Sequence, residues 1–376
     1  MKNFKSGTYI NQGSYKSFQP ELISGKWVID NMEVLSLLSQ ADRQLGRLDM
    51  YSEYIPNIDL FISMHVLKEA TQSSKIEGTK TNIEEALLNR EDISEEKRDD
   101  WEEIQNYIAA LNKAIEKLNE IPFSSRLIRQ THEILLSGVR GKRKLPGEFR
   151  SSQNWIGGAS ISDATFIPPI HTTINEYMGD LEKFAHDNEH YFPELLKIAL
   201  IHYQFETIHP FLDGNGRVGR LMITLYLVEK GLLKKPILYL SDFFEKNRTL
   251  YYDNLMKVRE KQDINQWFKF FLVGVIETAK NSISTFDKIL KLQKDIETRI
   301  QGLGSRSVST NTVVKQLYQH PVIQARKVQE ITGLSMPTAY KIIEVLEELK
   351  VLKEVTGAKR GKLYFFKEYI DLFSTD

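Results

Sequence analysis

Apolar residues recur every three to four positions along most of this chain, which is the spacing of amphipathic helices. In residues 31–48, Val34, Leu37 and Leu38 follow this spacing, and Asp30 or Asn31 can cap the start. The same pattern predicts helices over 58–76, 83–88 (capped by Thr81 or Asn82), 101–118, 124–137 (capped by Ser124 or Ser125), 172–186, 193–208, 217–230, 248–257 and 264–300, the last with at least one break. We therefore expect a mainly α protein whose first residues, before the first helix, are mobile.

The segment 138–169 differs from the helical regions because it is rich in Gly, Ser and Pro. Two strand-like pieces, 154–156 and 165–167, are interrupted by Gly157-Gly158 and Pro168-Pro169, which predicts a small β-hairpin. A further strand-like piece covers 237–240.

The last 76 residues have the pattern of a separate small domain. Residues 301–310 contain two glycines and four hydroxyl residues and are expected to form a linker. Helices over 311–318, 325–331 and 337–349, then strands over 351–356 and 362–366, predict a winged helix-turn-helix. We expect three parts: an N-terminal helical region (1–100), a core (101–300) and the winged helix-turn-helix (301–376).

Composition excludes several classes of chemistry. The 376 residues contain 50 Lys and Arg, 50 Asp and Glu, and no cysteine. The chain therefore has no disulfides, thiolate metal sites or cysteine nucleophiles. No secretory signal is visible at the start, and the apolar run 270–276 is too short to cross a bilayer, so we expect a soluble cytoplasmic protein without a membrane partner. Zero net charge argues against general polyanion binding, but a local basic face stays open.

Residues 209–220 carry the most informative chemistry. Pro210 ends a helix, glycines 214 and 216 allow a sharp turn, and a helix begins at about Arg217 with its positive dipole end at that turn. Arg217 and Arg220 lie one helical turn apart and can both reach phosphate oxygens. Asp213 is a hard oxygen ligand for Mg²⁺, and His209 can accept a proton near neutral pH. The stretch reads His-Pro-Phe-Leu-Asp-Gly-Asn-Gly-Arg-Val-Gly-Arg.

Other motifs fit the sequence less well. Gly214, Gly216 and Gly219 match the dinucleotide-binding fingerprint, but the preceding residues 193–208 favour a helix where that fold needs a strand. His132-Glu133 is not a zinc motif, because no histidine stands four positions after His132. Gly-Lys is never followed by Ser or Thr, which excludes a Walker loop. His132 and His202 are interpreted as structural histidines.

Residues 209–220 resemble the signature of the Fic family at every defined position. Segments 147–150, 155–158 and 166–169 are similar to the family's approach to its β-hairpin flap, and an N-terminal helical region and a C-terminal winged helix also occur in Fic proteins. The resemblance implies a Fic helical core with a small flap over 101–300. It also implies transfer of AMP from ATP to a hydroxyl of a target protein, with ATP and Mg²⁺ as ligands.

Carried over by position, the resemblance assigns the chemistry of the reaction to two residues. His209 would be the general base that deprotonates a Ser, Thr or Tyr of the target. Asp213 would hold Mg²⁺ against the α- and β-phosphates.

The resemblance also implies the phosphate contacts. Asn215 and the amides around Gly214 and Gly216 would form an anion hole for the α- and β-phosphates. Arg217 would contact the β-phosphate and Arg220 the γ-phosphate. The same nucleotide-binding stretch includes Val218 and Gly219.

Two further regions of the site follow from the resemblance. Thr165, Phe166 and Ile167 look like the flap strand, which would bind the target by edge-strand pairing. Tyr251 and Tyr252 stand where the family places aromatic residues facing adenosine, and an interpretation as core aromatics is equally open.

An inhibitory motif is the last match. Ser73, Glu77 and Gly78 fit the family's pattern of Ser or Thr, three residues, Glu, then Gly or Asn, at the N-terminal position of class II members. If Glu77 pairs with Arg220, Arg220 cannot hold the γ-phosphate. The sequence therefore predicts an autoinhibited adenylyltransferase that also modifies itself.

Other functions stay open at this point. Residues 301–376 hold 11 Lys and Arg against 8 Asp and Glu, and Lys359, Arg360 and Lys362 cluster on the expected wing. This face could contact DNA phosphates, but winged helices also form homodimers or bind proteins. The alternatives are a DNA- or protein-binding regulator with a Fic sensor core, or a Fic enzyme that transfers another phosphate-containing group. In the phosphate-transferring branch a lysine replaces the residue that corresponds to Gly216; its retention favours AMP transfer.

Overall fold

The computed structural model describes residues 1–55, 58–138, 144–357 and 360–374. Within them, helices dominate, as the apolar spacing predicts. The helices are α1 (Met32–Tyr54), α2 (Asp59–Ile76), α3 (Ile83–Ala86), α4 (Arg98–Lys117), α5 (Ser125–Leu135), α6 (Ile174–Ala185), α7 (Glu194–Ile208), α8 (Asn215–Glu229), α9 (Ser241–Lys246), α10 (Arg248–Lys261), α11 (Ile264–Gln301), α12 (Ser307–Leu317), α13 (Ala325–Thr332), α14 (Met336–Glu348) and α15 (Lys367–Ile370). The strands are β1 (Gly7–Asn11), β2 (Lys16–Pro20), β3 (Val322–Ile323), β4 (Lys353–Glu354) and β5 (Tyr364–Phe365).

Side-chain caps explain several helix starts. The Asn31 side chain accepts a hydrogen bond from Val34 N at 3.0 Å at the start of α1. Asn82 and Glu85 form a reciprocal capping box on α3, and Ser124 Oγ accepts from a first-turn amide of α5. Each such cap stabilises a helix by about 1 kcal/mol. The three starts confirm caps that the sequence predicts.

Two buried helices, α7 and α8, form the centre of the core. Every residue of α7 from Leu195 to Ile208 is buried, so this helix lacks a solvent face. The long helix α11 packs against α7 and, over much of its length, against α1. Because α7 is enclosed, its polar side chains face either a buried partner or the site described below. No helix in the described ranges is both long and apolar enough to cross a membrane.

Three sequence expectations about the helical region are wrong. Helix α11 runs unbroken, and Gly274 is a close-packing position, since a Cβ there would lie 2.7 Å from the Phe243 ring. Residues 237–240 form no strand; they are buried irregular chain, held in part by the Thr224 hydroxyl, which donates to Leu238 O at 3.0 Å. The expected linker 301–310 is shorter, because α12 already begins at Ser307 and Thr310 is buried.

The start of the chain is an ordered β-hairpin and not the expected mobile segment. Strands β1 and β2 pair antiparallel from Gly7 opposite Pro20 to Asn11 opposite Lys16. Phe18 is fully buried, donates its backbone N–H to Ile167 O at 2.8 Å and packs against Phe166. The hairpin is therefore attached through β2 to residues 166–167, next to the isolated bridge between Ile156 and Phe166.

The C-terminal residues fold in the order α12, β3, α13, α14, β4, β5, α15. The three strands form an antiparallel sheet in the order β3-β5-β4. The loop between β4 and β5 includes Ala358 and Lys359, which lie outside the described residues. This region packs against α2, since the Phe61 and Tyr318 rings lie 5.4 Å apart and His65 meets Phe373 edge-on at 5.0 Å.

Candidate active site

The turn between α7 and α8, residues 209–214, reverses the chain at the ends of the two central helices. His209 ends α7 in the left-handed region, with φ 49° and ψ 60°. Gly214 precedes α8 with φ 76°, a conformation that glycine adopts without strain. A left-handed backbone costs a non-glycine residue about 1 kcal/mol or more, so the surrounding bonds must hold His209 in place.

Two side chains hold this turn. Asn215 Oδ1 accepts from Phe211 N at 2.8 Å, and Asn215 Nδ2 donates to Phe211 O at 2.9 Å. Arg150 Nε donates to His209 O at 2.9 Å, and Arg150 N donates to Pro210 O at 2.8 Å. The backbone of three successive residues is thus fixed. Because the Asn215 side chain is used as a clamp, its contribution to the predicted anion hole would come from its backbone N–H.

His132 supports the turn from α5, as the structural interpretation expects. Its ring stacks on Phe211 at 3.7 Å between centroids, and its Nδ1 accepts from Gly147 N at 2.9 Å. Nε2 therefore carries the proton and donates to Asp213 O at 3.0 Å. Burial lowers the pKa of His132 to about 4, which keeps the ring neutral.

The N-terminus of α8 offers an anion site. The N–H groups of its first turn have no acceptor within the helix, and the helix dipole places partial positive charge there. Arg217 is buried beside this end, donating to Glu103 Oε2 at 3.0 Å and lying 3.6 Å from Asp213 Oδ1. The Asp213 side chain is 46% exposed. Phosphate groups would meet amides, a dipole and an arginine here.

Arg220 is bound by the end of α2. Its Nε donates to Ser73 Oγ and its Nη2 to Ser73 O, both at 2.9 Å, and Nη2 also donates to Glu77 Oε1 at 2.5 Å. Burial disfavours both charges, but the ion pair dominates: the Arg220 charge lowers the pKa of Glu77, and the Glu77 charge raises the pKa of Arg220. Both residues are therefore ionised at neutral pH, and the arginine is bonded through Nε and Nη2.

Glu77 also lies directly against Gly216. A Cβ at position 216 would stand 2.3 Å from Glu77 Oε1 and 3.0 Å from Arg220 Nη1. Glycine at 216 therefore leaves the space that the carboxylate occupies. The predicted inhibitory residues and the predicted phosphate site meet at this point.

His209 is half-buried at the other side of the same space. Its Nδ1 is buried, with no hydrogen-bond partner among the described residues. Burial, then the charges of Arg150 and Arg259, lower the pKa of His209 to about 3. The imidazole is therefore neutral at pH 7 and can accept a proton.

A cavity of about 520 Å³ connects these groups, a size typical of small-ligand sites. It brings together predicted residues from distant parts of the chain. Its lining consists of Glu77, Trp155, Ile156, Gly157, Thr165, Phe166, Glu206, His209, Gly216, Arg220, Tyr251, Tyr252, Leu255, Met256 and Arg259. Asp213, Gly214, Asn215, Arg217, Val218 and Gly219 belong to the adjoining turn and helix but are not part of this lining.

The predicted flap strand forms one wall of the cavity. Ile156 and Phe166 form an antiparallel bridge, with Ile156 N donating to Phe166 O at 2.8 Å and Phe166 N donating to Ile156 O at 3.1 Å. Ile167 accepts from Phe18, as described above, so β2 occupies that edge of the strand. Thr165 reaches the cavity beside it.

The two predicted aromatic residues differ in environment. Tyr251 is 1% exposed, stacks on Phe244 at 4.5 Å and shares a 2.8 Å hydrogen bond with His202 Nε2. Tyr252 is 39% exposed at the cavity mouth. Tyr251 therefore has the contacts of a core aromatic, and its neighbour is the more accessible of the two.

Two cavity residues escape prediction from the sequence. Glu206 lies one helical turn before His209 and shares its side of α7. This spacing could have predicted from the sequence that Glu206 belongs to the site. Arg259 donates to Thr207 Oγ1 at 3.1 Å and lies 3.9 Å over the Phe166 ring. Nothing in the periodic pattern of α10 distinguishes it.

The donor set for a metal is sparse. The described residues contain no cluster of three or more His, Cys, Asp or Glu side chains that could hold a metal ion. Asp213, an exposed carboxylate beside the anion site, suits Mg²⁺ as a single ligand, because this ion keeps several waters and is commonly bound through substrate phosphates.

Family models match two adjoining parts of the chain. Residues 35–116 match the model described as Fic/DOC family N-terminal, and residues 122–227 match the Fic/DOC family model. The two matches together span about half of the chain and include Glu77 and the whole 209–220 stretch.

Relatives and solved structures agree with these matches. A probable protein adenylyltransferase from Aquifex aeolicus is 27% identical over 64% of this chain and 68% of its own length. A protein adenylyltransferase Fic from Aedes aegypti is 31% identical over 33% of this chain, which spans only 22% of that relative. The crystal structure of a Fic family protein from Desulfovibrio desulfuricans has a TM-score of 0.57 at 20% identity, covering 91% of this chain and 98% of that one. This likeness shows a shared fold.

Proposed function

The chain belongs to the Fic family, and on that premise we propose that it is a protein adenylyltransferase. It would transfer AMP from ATP to a Ser, Thr or Tyr hydroxyl of a target protein and of itself. The observation that carries the proposal is the single cavity that His209 shares with Gly216, Arg220 and the flap residue Thr165. A proton acceptor, a phosphate site and the flap segment that would meet a target lie together there.

In the proposed reaction the target hydroxyl gives its proton to neutral His209 as its oxygen attacks the α-phosphorus of ATP. The bond from the α-phosphorus to the bridging oxygen breaks, and diphosphate leaves. The amides around Gly214 and Gly216, at the start of α8, neutralise charge on the α- and β-phosphates. Arg217 binds the β-phosphate and Arg220 the γ-phosphate, so the residues supply mainly position and charge.

Asp213 would hold Mg²⁺ that arrives with the nucleotide. When bound, Mg²⁺ neutralises phosphate charge. Asp213 Oδ1 accepts from Gly214 N at 2.6 Å, but the carboxylate is 46% exposed and has two oxygens, so it can still present an oxygen to the ion.

Residues 73–78, called the inhibitory segment, would keep the enzyme inactive. Arg220 cannot grip a γ-phosphate while Glu77 and Ser73 hold it. Competition for one buried guanidinium is a sufficient physical cause, since charge-assisted hydrogen bonds are about twice as strong as neutral ones.

The test is incorporation of label from α-labelled ATP into the protein. Glu77→Gly should raise incorporation about tenfold or more, because it removes the carboxylate that competes with phosphate for Arg220. His209→Ala in the Glu77→Gly protein should abolish it. Glu120→Gly, which alters an exposed glutamate at another helix end, is the matched control and should leave incorporation unchanged. Equal incorporation in wild type and Glu77→Gly would remove the inhibitory assignment.

Mass spectrometry of the labelled protein separates AMP transfer from the other Fic chemistries. An AMP adduct supports the proposal, and a bare phosphate or another nucleotide supports the alternative transfers. The proposal includes a cytoplasmic location, where ATP is available.

We also propose three parts, 1–100, 101–300 and 301–376, with a winged helix-turn-helix as the last. The order of α12, β3, α13, α14, β4 and β5 and their three-stranded sheet support this assignment. Tyr340 and Lys341 are exposed near the start of α14, where a DNA partner would be contacted. Titration of the full chain with a DNA duplex at two salt concentrations tests it: phosphate contacts require weaker binding at higher salt, and salt-independent binding contradicts them.

A further inference from the structure

Glu206 is a buried carboxyl group that the proposed reaction does not use. It lies on α7 one turn before His209, lines the cavity and is 6% exposed. Its Oε1 is buried and has no hydrogen-bond partner among the residues the structure describes. Buried polar atoms without partners are rare in folded proteins, and many that exist serve a ligand.

The charged neighbours of Glu206 are bound elsewhere. Arg220 is held by Ser73 and Glu77. Arg259 donates to Thr207 Oγ1 at 3.1 Å and, at 3.2 Å, to the backbone oxygen of Glu206. Within the described residues no ion pair reaches the Glu206 side chain, and the two arginines act on it only at a distance.

The motif glycine at 219 makes room for this carboxyl group. A Cβ at that position would lie 2.4 Å from Glu206 Oε1. The nearest tyrosine hydroxyl, that of Tyr251, is bonded to His202. The protein therefore holds the carboxyl group in a fitted place at the cavity wall without giving it a partner.

Burial raises the pKa of Glu206 to about 7, an effect that Glu77 reinforces and that Arg220 and Arg259 oppose. A neutral carboxyl group can both donate and accept a hydrogen bond. An ionised one can only accept, and it repels phosphate. In either state, its suitable ligand partner is an uncharged donor such as a hydroxyl or an amino group.

ATP carries such donors only on its nucleoside, as ribose hydroxyls and the adenine amino group. The anion site lies at Gly216 and Arg220, and Tyr252, Leu255 and Met256 line the remaining wall with aromatic and apolar surface suited to a nucleoside. We propose that Glu206 accepts a hydrogen bond from the nucleoside of ATP and contributes to nucleotide selection. This inference rests on the proposed function, because it takes ATP as the ligand.

The experiment measures equilibrium binding of three nucleotides. The parent protein is Glu77→Gly/His209→Ala, in which the carboxylate that competes for Arg220 is absent and the nucleotide is not consumed. We titrate the parent protein and its Glu206→Gln and Glu206→Leu versions with three nucleotides. These are ATP, 2′-deoxy-ATP and inosine triphosphate, which lacks the adenine amino group. Thermal melts of the same proteins confirm that each variant is folded.

The expected result is a loss of ATP affinity by roughly three- to tenfold in Glu206→Leu, the range of one buried hydrogen bond. Glu206→Gln, which keeps an acceptor and the shape, should stay within about threefold of its parent. The analogue that lacks the donor bonded to Glu206 should bind equally well to the parent protein and to its Glu206→Leu version. Which of the two analogues does so identifies the ribose or the adenine as the source of the hydrogen bond.

If the ratios of affinity for the three nucleotides were the same in all three proteins, the proposal would be overturned. A structural role for Glu206 predicts that result, because it leaves these ratios unchanged. Failure of the proposed function is distinguishable. Label transfer by the Glu77→Gly protein tests the reaction, whereas the titration needs only binding.

Discussion

The turn 209–214 and the inhibitory segment 73–78 both define the site around Arg220, but they are held in different ways. The turn is fixed from within the catalytic core by Arg150 and Asn215. The inhibitory segment touches Arg220 with two side chains and then continues through Gly78 into α3. The comparison suggests that the turn is a permanent part of the site and that the inhibitory contact can be biased from outside.

The largest expected effect comes from releasing the turn. Asn215→Ala removes both of its hydrogen bonds to the Phe211 backbone and leaves the buried Phe211 N–H without a partner, whereas Phe211 O keeps the bond from Asn154 Nδ2 at 2.9 Å. We expect a loss of about 2–4 kcal/mol in the free energy of unfolding, and at least a tenfold loss of label incorporation in the Glu77→Gly background. Denaturant melts and incorporation assays measure the two effects.

The matched control is Asn119→Ala, because Asn119 is exposed and its side chain donates to Glu116 O at 3.0 Å, at the end of its own helix. It should change stability by about 0.5 kcal/mol or less. If Asn215→Ala behaved like this control, the turn would not depend on its clamp.

A second, smaller effect tests whether the two regions compete for space. Gly216→Ala places a methyl group 2.3 Å from Glu77 Oε1. We expect it to cost about 1–3 kcal/mol of unfolding free energy when Glu77 is present, and less than half as much in the Glu77→Gly protein. Melts of the four proteins give the coupling directly.

Gly46→Ala is the control for this pair, because a Cβ at position 46 meets nothing within 4 Å. On a helix it should stabilise the protein slightly. An equal cost of Gly216→Ala in both backgrounds would mean that the clash lies with the backbone or Arg220 and not with the inhibitory carboxylate.

The same comparison shows what sequence can predict. The turn and the inhibitory segment are local motifs, so their residue types and spacing indicate them directly. The central helices α7 and α8 also follow from their apolar content and from Pro210 and the glycines that separate them. The hairpin β1–β2 does not, because its alternating residues become a sheet only by pairing with each other and with Ile167.

Buried polar groups are the other limit of prediction. Arg259 lies on a helix whose pattern gives no sign that it faces a cavity, and only the spacing of one turn from His209 points to Glu206. Glycine disfavours helices, yet Gly274 lies inside α11, where the absence of a side chain permits close contact with Phe243. In each case the meaning of the residue comes from a partner distant in sequence, which spacing alone does not reveal.

The smallest expected effect tests the link from the inhibitory segment to the C-terminal region. Lys367 of α15 pairs with Glu84 of α3. Nearby, Leu363, Phe365 and Ile370 pack against Ile83, Leu87 and Leu88. A cavity of about 400 Å³ lies between Thr79–Glu84, α2 and residues 373–374. The residues that follow Glu77 in the chain therefore have space in which to move.

Lys367 also pairs with Asp371, so Lys367→Glu puts a third negative charge beside Glu84 and Asp371. An exposed ion pair is worth about 0.2–1 kcal/mol, so incorporation should rise about two- to threefold in the otherwise wild-type protein. The charge-swapped Lys367→Glu/Glu84→Lys protein should return to the starting rate. In the Glu77→Gly protein Lys367→Glu should change nothing, because the inhibitory carboxylate is already absent. A rise that is equal in both backgrounds would locate the effect in the catalytic core, and no rise in either would separate the C-terminal region from control of Arg220.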